Sequence, residues 1–594
     1  MANSSGSRSA ISIGRIKFFS FAVTAILIIF GIRLFYVQVI RYNYYKQAAL
    51  SDQLKQYQIP ATRGLIEAED GNSIVPIVLN QKLYTLFADP PFIKHPVLVA
   101  QQVSAIIGGK ANSYLPALTA KHTQYAIIAL KISQNQSNQI AKLQDPGLGT
   151  QGQDVRVYPN GDLASQLLGF VNPQGVGEYG IEQALNKQLA GTPGELKAIT
   201  DVNGVPLAAS RQNTQIPPVP GSNVVLTINL GMQQQMEQIL AKEYKATKSQ
   251  GVSAIIMNPY NGHIKAMANF PTYNPANYAT VPNASLFQNN SVDYPIEPGS
   301  TMKTLTTSAA LDDGAITPNQ SFYDPAHWVI NGFNIHDIKM DGGPRQQTIG
   351  SILALSLNTG ATWMLMQMSQ KGNTIINAKG INTWHNYMAN RFRLGQPTGI
   401  QQGYEASGYV PPPNMSDPSI DLRYANTAFG QGVSMTALQE GAALSSVLNG
   451  GTYYQPSLVS QTVSPSGTIS INPPKVLERN VVSPKVGPEL VPLLQGVVSA
   501  YYQGGFSFMN FPSNYIVGGK TGTAQVAKPT GGYYANTYNG SYIGFVGGLK
   551  PQYLIVVYNI KPKTPGYAGS YAAQPIFADL AHMLINEGYV TPKN

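Results

Sequence analysis

Ser300-Thr301-Met302-Lys303 sets a hydroxyl and an amine three residues apart. A serine hydroxyl is a poor nucleophile at neutral pH and needs a base within hydrogen-bonding reach. On a helix, residue i+3 lies one turn up on the same face, which is where a base for Ser300 must sit. The spacing alone is weak, since roughly one or two Ser-x-x-Lys copies arise by chance in a chain this long. Two further groups follow it, Ser356-Leu357-Asn358 and then Lys520-Thr521-Gly522-Thr523. Lys303 can accept a proton only when neutral. Partial burial and a second cation, for which Lys520 is the candidate, would both lower its pKa. The chemistry these residues could do is nucleophilic catalysis through a covalent intermediate on Ser300.

The elements that must hold them can be read locally. Pro298-Gly299 suits a loop turning into a helix, with Ser300 in the first turn, where the helix N-terminus favours negative charge. Gly518, Gly519 and Gly522 read as keeping the Lys520–Thr523 segment bare, an edge strand to which an extended substrate could pair. A strand at 224–228 leads into a Gln-rich helix. Strands at 253–258 and 263–268 flank Asn261-Gly262, a hairpin dipeptide. Strands at 542–546 and 553–560 form another hairpin, and a last helix begins near Pro575. Hairpins near both ends with helices between predict an antiparallel sheet covered by helices.

Residues 18–32 are uncharged and apolar, Arg33 interrupts them, and 34–40 continue the run. With Arg33 snorkelling, 18–40 is long enough to cross a bilayer. Arg8, Arg15 and Lys17 precede it without an acid, which puts the N-terminus in the cytoplasm. Leu34-Phe35-Tyr36 stands where a signal-peptide cleavage site would need small residues, so an uncleaved anchor is expected. Between anchor and catalytic region, Gly191-Thr192-Pro193-Gly194 and Asp201-Val202-Asn203-Gly204 read as turns, and 217–221 as a linker.

At 594 residues two or three domains are expected, and 43% apolar content permits large cores. Only 11% of residues are charged, and polarity comes from Asn, Gln, Ser, Thr and 34 Tyr. The net charge of +10 comes without any aromatic-threaded basic cluster, so nucleic acid is not an expected partner. No cysteine is present, which excludes disulfides and thiolate chemistry. The seven histidines show no ligand spacing, so neither a metal nor a cofactor is expected.

Taken together, Glu297-Pro298-Gly299-Ser300-Thr301-Met302-Lys303, Ser356-Leu357-Asn358 and Lys520-Thr521-Gly522-Thr523 resemble the signature of penicillin-binding proteins and serine β-lactamases. Arg33-Leu34-Phe35-Tyr36-Val37-Gln38, Arg63-Gly64, Gly180-Ile181-Glu182 and Gly191-Thr192-Pro193-Gly194 resemble the pedestal of class B penicillin-binding proteins. Pro397-Thr398-Gly399-Ile400, Phe429-Gly430-Gln431-Gly432 and Asn449-Gly450-Gly451 extend the resemblance over nearly the whole chain. Where the family has Asp-Arg-Asn-Gly after its Arg-Gly turn, this chain has Glu67-Ala68-Glu69-Asp70-Gly71. The resemblance implies an α+β multidomain protein: a cytoplasmic tail (1–17), a transmembrane anchor (18–40), an elongated pedestal of the dimerisation type, mostly β or α+β (41–220), and a transpeptidase domain (221–594). The last would be an antiparallel sheet flanked by helices, with an all-helical subdomain.

The resemblance further implies roles. Ser300 would be the nucleophile, Lys303 the base, and Ser356 the relay to the leaving amine. Asn358 would bond the donor peptide's amide. Lys520, Thr521, Gly522 and Thr523 would line the substrate, with the threonine hydroxyls on its carboxylate. The Ser300 and Thr523 amides would form the oxyanion hole. Asp337 and Glu405 read as structural, and Glu182-Gln183-Ala184-Leu185-Asn186 as a chance likeness to a β-lactamase motif.

The implied activity is D,D-transpeptidation of peptidoglycan stem peptides ending in D-Ala-D-Ala, with covalent inhibition by β-lactams. No deacylating Glu follows Ser356-Leu357-Asn358, which speaks against a β-lactamase. A D,D-carboxypeptidase, a β-lactam sensor and a scaffold are the alternatives. Gly532-Tyr533, 541–547 and 572–577 lean toward the division-specific branch over an elongation role. The 41–220 segment lacks a Glu-Asp-x-x-Phe glycosyltransferase motif and reads as turn-rich. The implied partners are therefore a separate SEDS-family glycan polymerase and divisome membrane proteins.

Overall fold

The computed structural model describes residues 13–46, 54–121, 123–199, 214–337 and 343–593. The chain falls into two compact units: Met1–Ala61 with Thr192–Pro220, and Thr62–Gly191 with Gly221–Asn594. In the first unit, a helix over Ile13–Phe35 continues as a π-helical turn, Tyr36–Ile40. An 18-residue stretch of this 28-residue span has a mean hydropathy of 2.3, and the span buries nothing, so its apolar side chains are free to meet lipid. It starts five residues before the apolar run proper and carries Arg15 and Lys17 on its first turns. The same unit holds an antiparallel sheet of Leu54–Ile59, Gly194–Ile199 and Thr214–Ile216. The turn expected at 201–204 lies outside the described residues.

The second unit contains the site. A seven-stranded sheet runs in the order Ile469–Ile471, Val459–Val463, Asn223–Asn229, Ile66–Asp70, Ser73–Ala88, Ala126–Ile132, and Leu148–Val157 also pairs with Ser73–Ala88. Asn223–Asn229 is parallel to Ile66–Asp70 and antiparallel to Val459–Val463. One sheet therefore joins three segments far apart in sequence. Glu69, within the departing Glu67–Gly71 stretch, pairs its carboxylate with Lys265 at 2.7 Å. The 62–191 segment also carries short helices, Pro96–Ile107, Ala111–Leu118 and Gln134–Ala141, where the sequence reads mainly as turns.

Glu182 is fully buried between two guanidiniums. Arg63 holds one carboxylate oxygen at 2.5 Å and Arg156 the other at 2.7 Å. Arg156 also donates to Gly64 O and Asn80, and Arg63 to Asn186. Both carboxylate oxygens are thereby paired, which offsets much of the cost of burying the charges. The Glu182–Asn186 motif is thus a structural tie within the 62–191 segment.

The sheet that carries the chemistry has five antiparallel strands in the order Ile264–Phe270, Gly251–Met257, Pro551–Ile560, Tyr533–Gly547, Ile516–Ala527. Alternation sorts the side chains: Val252, Ala254 and Ile256 face one core, Ile255 and Met257 the other. Leu230–Thr247 and Gln574–Asn586 cover the first face through Met236, Leu240, Ile576 and Leu580. Pro575 stands in the first turn of the latter helix, as its missing N–H permits. Leu305 of Met302–Asp312 belongs to the core on the opposite face, together with helices Ala437–Leu448 and Val486–Gln503. Ile516–Ala527 is the edge strand, so one row of its backbone groups lacks a strand partner.

Candidate active site

The nucleophile turn is built by close backbone approach. Gly299 has φ +62, and a Cβ there would lie 2.7 Å from Thr523 O. Gly430 has φ +90, and its Cβ would lie 2.0 Å from Gly299 O. Gly299 N also donates to Gly430 O at 3.1 Å. The Phe429–Gly432 loop therefore clamps the turn that presents Ser300, a role its spacing does not reveal. A 3-10 turn, Gly299–Thr301, feeds into the helix Met302–Asp312, and all but the last residue of that helix are buried. Glu297 braces the entry: its Oε1 accepts from Gly432 N at 3.0 Å and Tyr533 OH at 3.1 Å.

Lys303 lies at the centre of the constellation. Its Nζ lies within hydrogen-bonding distance of Ser300 Oγ at 3.1 Å, Ser356 Oγ at 3.2 Å, Asn358 Oδ1 at 2.9 Å and Ser356 O at 2.5 Å. Ser356 sits at φ +59, a left-handed conformation that a non-glycine residue adopts at some cost. That backbone turns both its carbonyl and its hydroxyl toward the lysine. Asp337 fixes the next turn by accepting from Asn358 N, from Thr359 N at 3.0 Å, and from Thr359 Oγ1. It thereby serves the helix Asn358–Ser369 as a cap supplied from outside the helix. Glu405 does comparable work away from the chemistry, accepting from Thr398 N and Gly399 N.

Lys520–Thr523 lies on the edge strand. Lys520 is fully buried, and its Nζ donates to Thr521 O at 3.0 Å and to Thr521 Oγ1 at 3.3 Å. Desolvation pushes the Lys520 ammonium down to about 7, so near neutral pH it is not the fixed cation that its sequence position suggests. Thr521 Oγ1 meets Tyr501 OH at 2.8 Å, and Thr523 Oγ1 accepts from Gly569 N at 2.9 Å.

The glycines on this strand also answer to packing within the fold. A Cβ on Gly518 would lie 2.4 Å from the Phe545 ring, and one on Gly519 would lie 2.5 Å from Tyr542. On Gly522 it would lie 2.2 Å from Ser541 Oγ and 2.3 Å from Pro298 O. Gly522 thus lets the strand seat directly against the nucleophile turn.

Below that turn is an acid that sequence reasoning misses. Glu440 is fully buried on the helix Ala437–Leu448. Its Oε2 accepts from Tyr558 OH at 2.9 Å, while Oε1 has no well-aligned donor. The Thr301 hydroxyl is in reach of the carboxyl and itself donates to Pro298 O at 3.1 Å. Burial pushes Glu440 up to about 7. Apolar neighbours at 442–444 and 447–448 hide it in the sequence, where one acid on an apolar helix reads as an exposed position.

A family model for the penicillin-binding protein transpeptidase domain matches residues 252–582, and one for the penicillin-binding protein dimerisation domain matches 58–226. The chain is 29% identical over 578 residues to stage V sporulation protein D of Bacillus subtilis, covering 96% of this chain and 85% of that one. It is 25% identical over 539 residues to peptidoglycan D,D-transpeptidase FtsI of Escherichia coli, covering 88% and 83%. In fold it is similar to penicillin-binding protein 3 of Mycobacterium tuberculosis in complex with aztreonam, with a TM-score of 0.67 and 24% identity over 91% of this chain and 98% of that one.

Proposed function

Because the chain belongs to the penicillin-binding protein transpeptidases, in the class B group that carries a dimerisation domain, we propose that it cross-links peptidoglycan through an acyl-enzyme on Ser300. The observation that carries this reading is one amine, Lys303 Nζ, in contact with both the Ser300 and Ser356 hydroxyls. In the first half-reaction Ser300 Oγ attacks the penultimate D-Ala carbonyl as Lys303 takes its proton. The new C–O bond forms, the C–N bond to the terminal D-Ala breaks, and Ser356 relays a proton to the departing amine. In the second, an amine from a neighbouring stem attacks the ester, a new amide forms and Ser300 is released. The Ser300 and Thr523 amides stabilise the oxyanion in both steps, and Asn358 positions the donor strand along Ile516–Ala527.

A β-lactam enters the same first step, and its opened ring stays attached to Ser300. The segments 1–17, 18–40, 41–220 and 221–594 act as cytoplasmic tail, anchor, pedestal and transpeptidase domain. The catalytic unit works outside the cytoplasmic membrane, in septal wall synthesis, beside a SEDS-family polymerase and divisome proteins.

The test is labelling by a fluorescent penicillin together with D-Ala release from lipid-linked substrate. Ser300→Ala abolishes both while thermal unfolding stays cooperative. Labelling that persists in Ser300→Ala would remove the nucleophile assignment.

A further inference from the structure

A cleft of about 630 Å³ opens in the second unit, where the 176–183 turn meets the 287–293 segment and 402–404. None of the catalytic residues lines it. Its volume falls within the roughly 300–1,000 Å³ of small-ligand sites. Three aromatic side chains, Tyr179, Phe287 and Tyr404, form its apolar surface together with Val176. The Tyr179 and Phe287 rings are 5.2 Å apart, and both pack on Phe170, at 5.8 and 4.9 Å. That makes one wall a rigid platform. Tyr404 keeps 67% of its surface exposed.

The backbone at Tyr179 is strained, with φ 59 and ψ 167. Such a conformation costs about 1–3 kcal/mol and persists where the surroundings over-determine it, typically at ligand sites. Gln183 does so here, accepting from Tyr179 N at 3.1 Å and donating its own N–H to Tyr179 O at 2.9 Å.

The rest of the lining is carboxyl, amide and backbone. Glu178 is oriented by Asn172 at 2.7 Å, and Asp293 Oδ1 has no hydrogen-bond partner among the described residues. Among the described residues no lysine or arginine lines the cleft, although the chain carries a net charge of +10. An anion would meet two carboxyls and no countercharge. A purely apolar ligand would cover Gln288 and Asp293 without giving either a partner, a loss of about 1–3 kcal/mol for each buried group. A sugar ring presents C–H faces to aromatic platforms and a rim of hydroxyls that both donate and accept, which is what this lining can satisfy.

We propose that this cleft binds an uncharged stretch of glycan, holding the sugar backbone of the polymer whose stem peptides acylate Ser300. Naming that polymer rests on the proposed function. The chemical class of the ligand rests on the cleft alone.

The experiment titrates a tetramer of β-1,4-linked N-acetylglucosamine, free of peptide and net charge, into the full chain in detergent, read by calorimetry. Saturable binding is expected, weakened tenfold or more by Tyr404→Ala, an exposed position whose loss leaves the fold intact. Penicillin acylation of Tyr404→Ala should keep the unaltered protein's rate. No saturable binding, or equal binding by Tyr404→Ala, overturns the proposal. So does competition for the cleft by an amine-bearing stem peptide that the tetramer cannot displace. A failure of penicillin acylation in the unaltered protein would instead speak against the transpeptidase reading, so the two proposals fail separately.

Discussion

Glu440→Gln exchanges a fully buried acid for an uncharged group of the same shape. The amide can keep both neighbours, with its oxygen accepting from Tyr558 OH and its nitrogen donating toward the Thr301 hydroxyl. The folded protein pushes the Glu440 carboxyl from an ordinary 4.5 up to about 7. Below pH 4.5 the acid is protonated in both folded and unfolded chains, and its ionisation costs nothing. Between pH 4.5 and 7 the unfolded chain releases the proton while the folded one holds it, so stability falls as pH rises. Above pH 7 the loss is complete, at about 3 kcal/mol. The glutamine variant is free of this loss.

The difference in unfolding free energy, Gln variant minus unaltered protein, should therefore climb from near zero at pH 4 to about 3 kcal/mol at pH 8. Urea denaturation at a series of pH values measures it, with the buried Trp363 and Trp384 as fluorescent reporters. Glu237 and Asp293 are also pushed up to about 7, but they titrate in both proteins and cancel in the difference. A difference that stays flat across this range would refute the reasoning, because Glu440 would then be stably ionised in the fold.

Three other outcomes are expected. Lys303→Ala should slow penicillin acylation by about three orders of magnitude or more, because a base acting as a unit with its nucleophile is worth nearly as much as the nucleophile. A rate within tenfold of the unaltered protein, by stopped-flow labelling, would mean that another group is the base. Gly522→Ala puts a methyl 2.3 Å from Pro298 O and must move the Ser300 turn. A displacement of about 1 Å at a reacting group can cost about 100-fold, so acylation should fall by that order while the fold survives. Undiminished acylation would show that the turn yields freely. Arg63→Ala leaves half of the Glu182 carboxylate unpaired, which should cost about 3–5 kcal/mol in denaturant midpoint titrations. A loss below 1 kcal/mol would mean that Arg156 suffices alone.

Ser300 and Lys303 are legible because their relation is local, whereas Ser356 and Asn358, more than fifty residues from Lys303, are legible only through the family resemblance. Helical spacing maps i+3 onto one face. The hairpin at Asn261-Gly262 and the terminal helix at Pro575 are likewise legible because their signals are local. What spacing does not carry is contact between remote backbones. The glycines at 518, 519 and 522 look like substrate clearance in the sequence, and each also gives way to a specific neighbour: Phe545, Tyr542 and Pro298 O. Asp337 as a cap for Asn358, Gly430 as a clamp on Gly299 and the left-handed backbone at Ser356 need the folded chain to be seen. The Glu182 motif looks like chance until Arg63 and Arg156 close on it from 119 and 26 positions away. The pKa of Lys520 follows from burial, which charge counting cannot supply.

The interleaving of distant strands governs the order in which this protein can be made. Ile66–Asp70 waits for Asn223–Asn229, which in turn pairs with Val459–Val463, and Gly251–Met257 gains its second neighbour only from Pro551–Ile560. A growing chain therefore carries half-paired, apolar strands until its last residues are synthesised. Non-local pairing of this kind folds slowly and leaves strand edges open to other chains. Truncation near residue 550 would cost more than one strand, since Gly251–Met257 and Tyr533–Gly547 would no longer be bridged. Such a chain has no partial enzyme to fall back on, and its synthesis runs against the time that exposed strands can be kept apart.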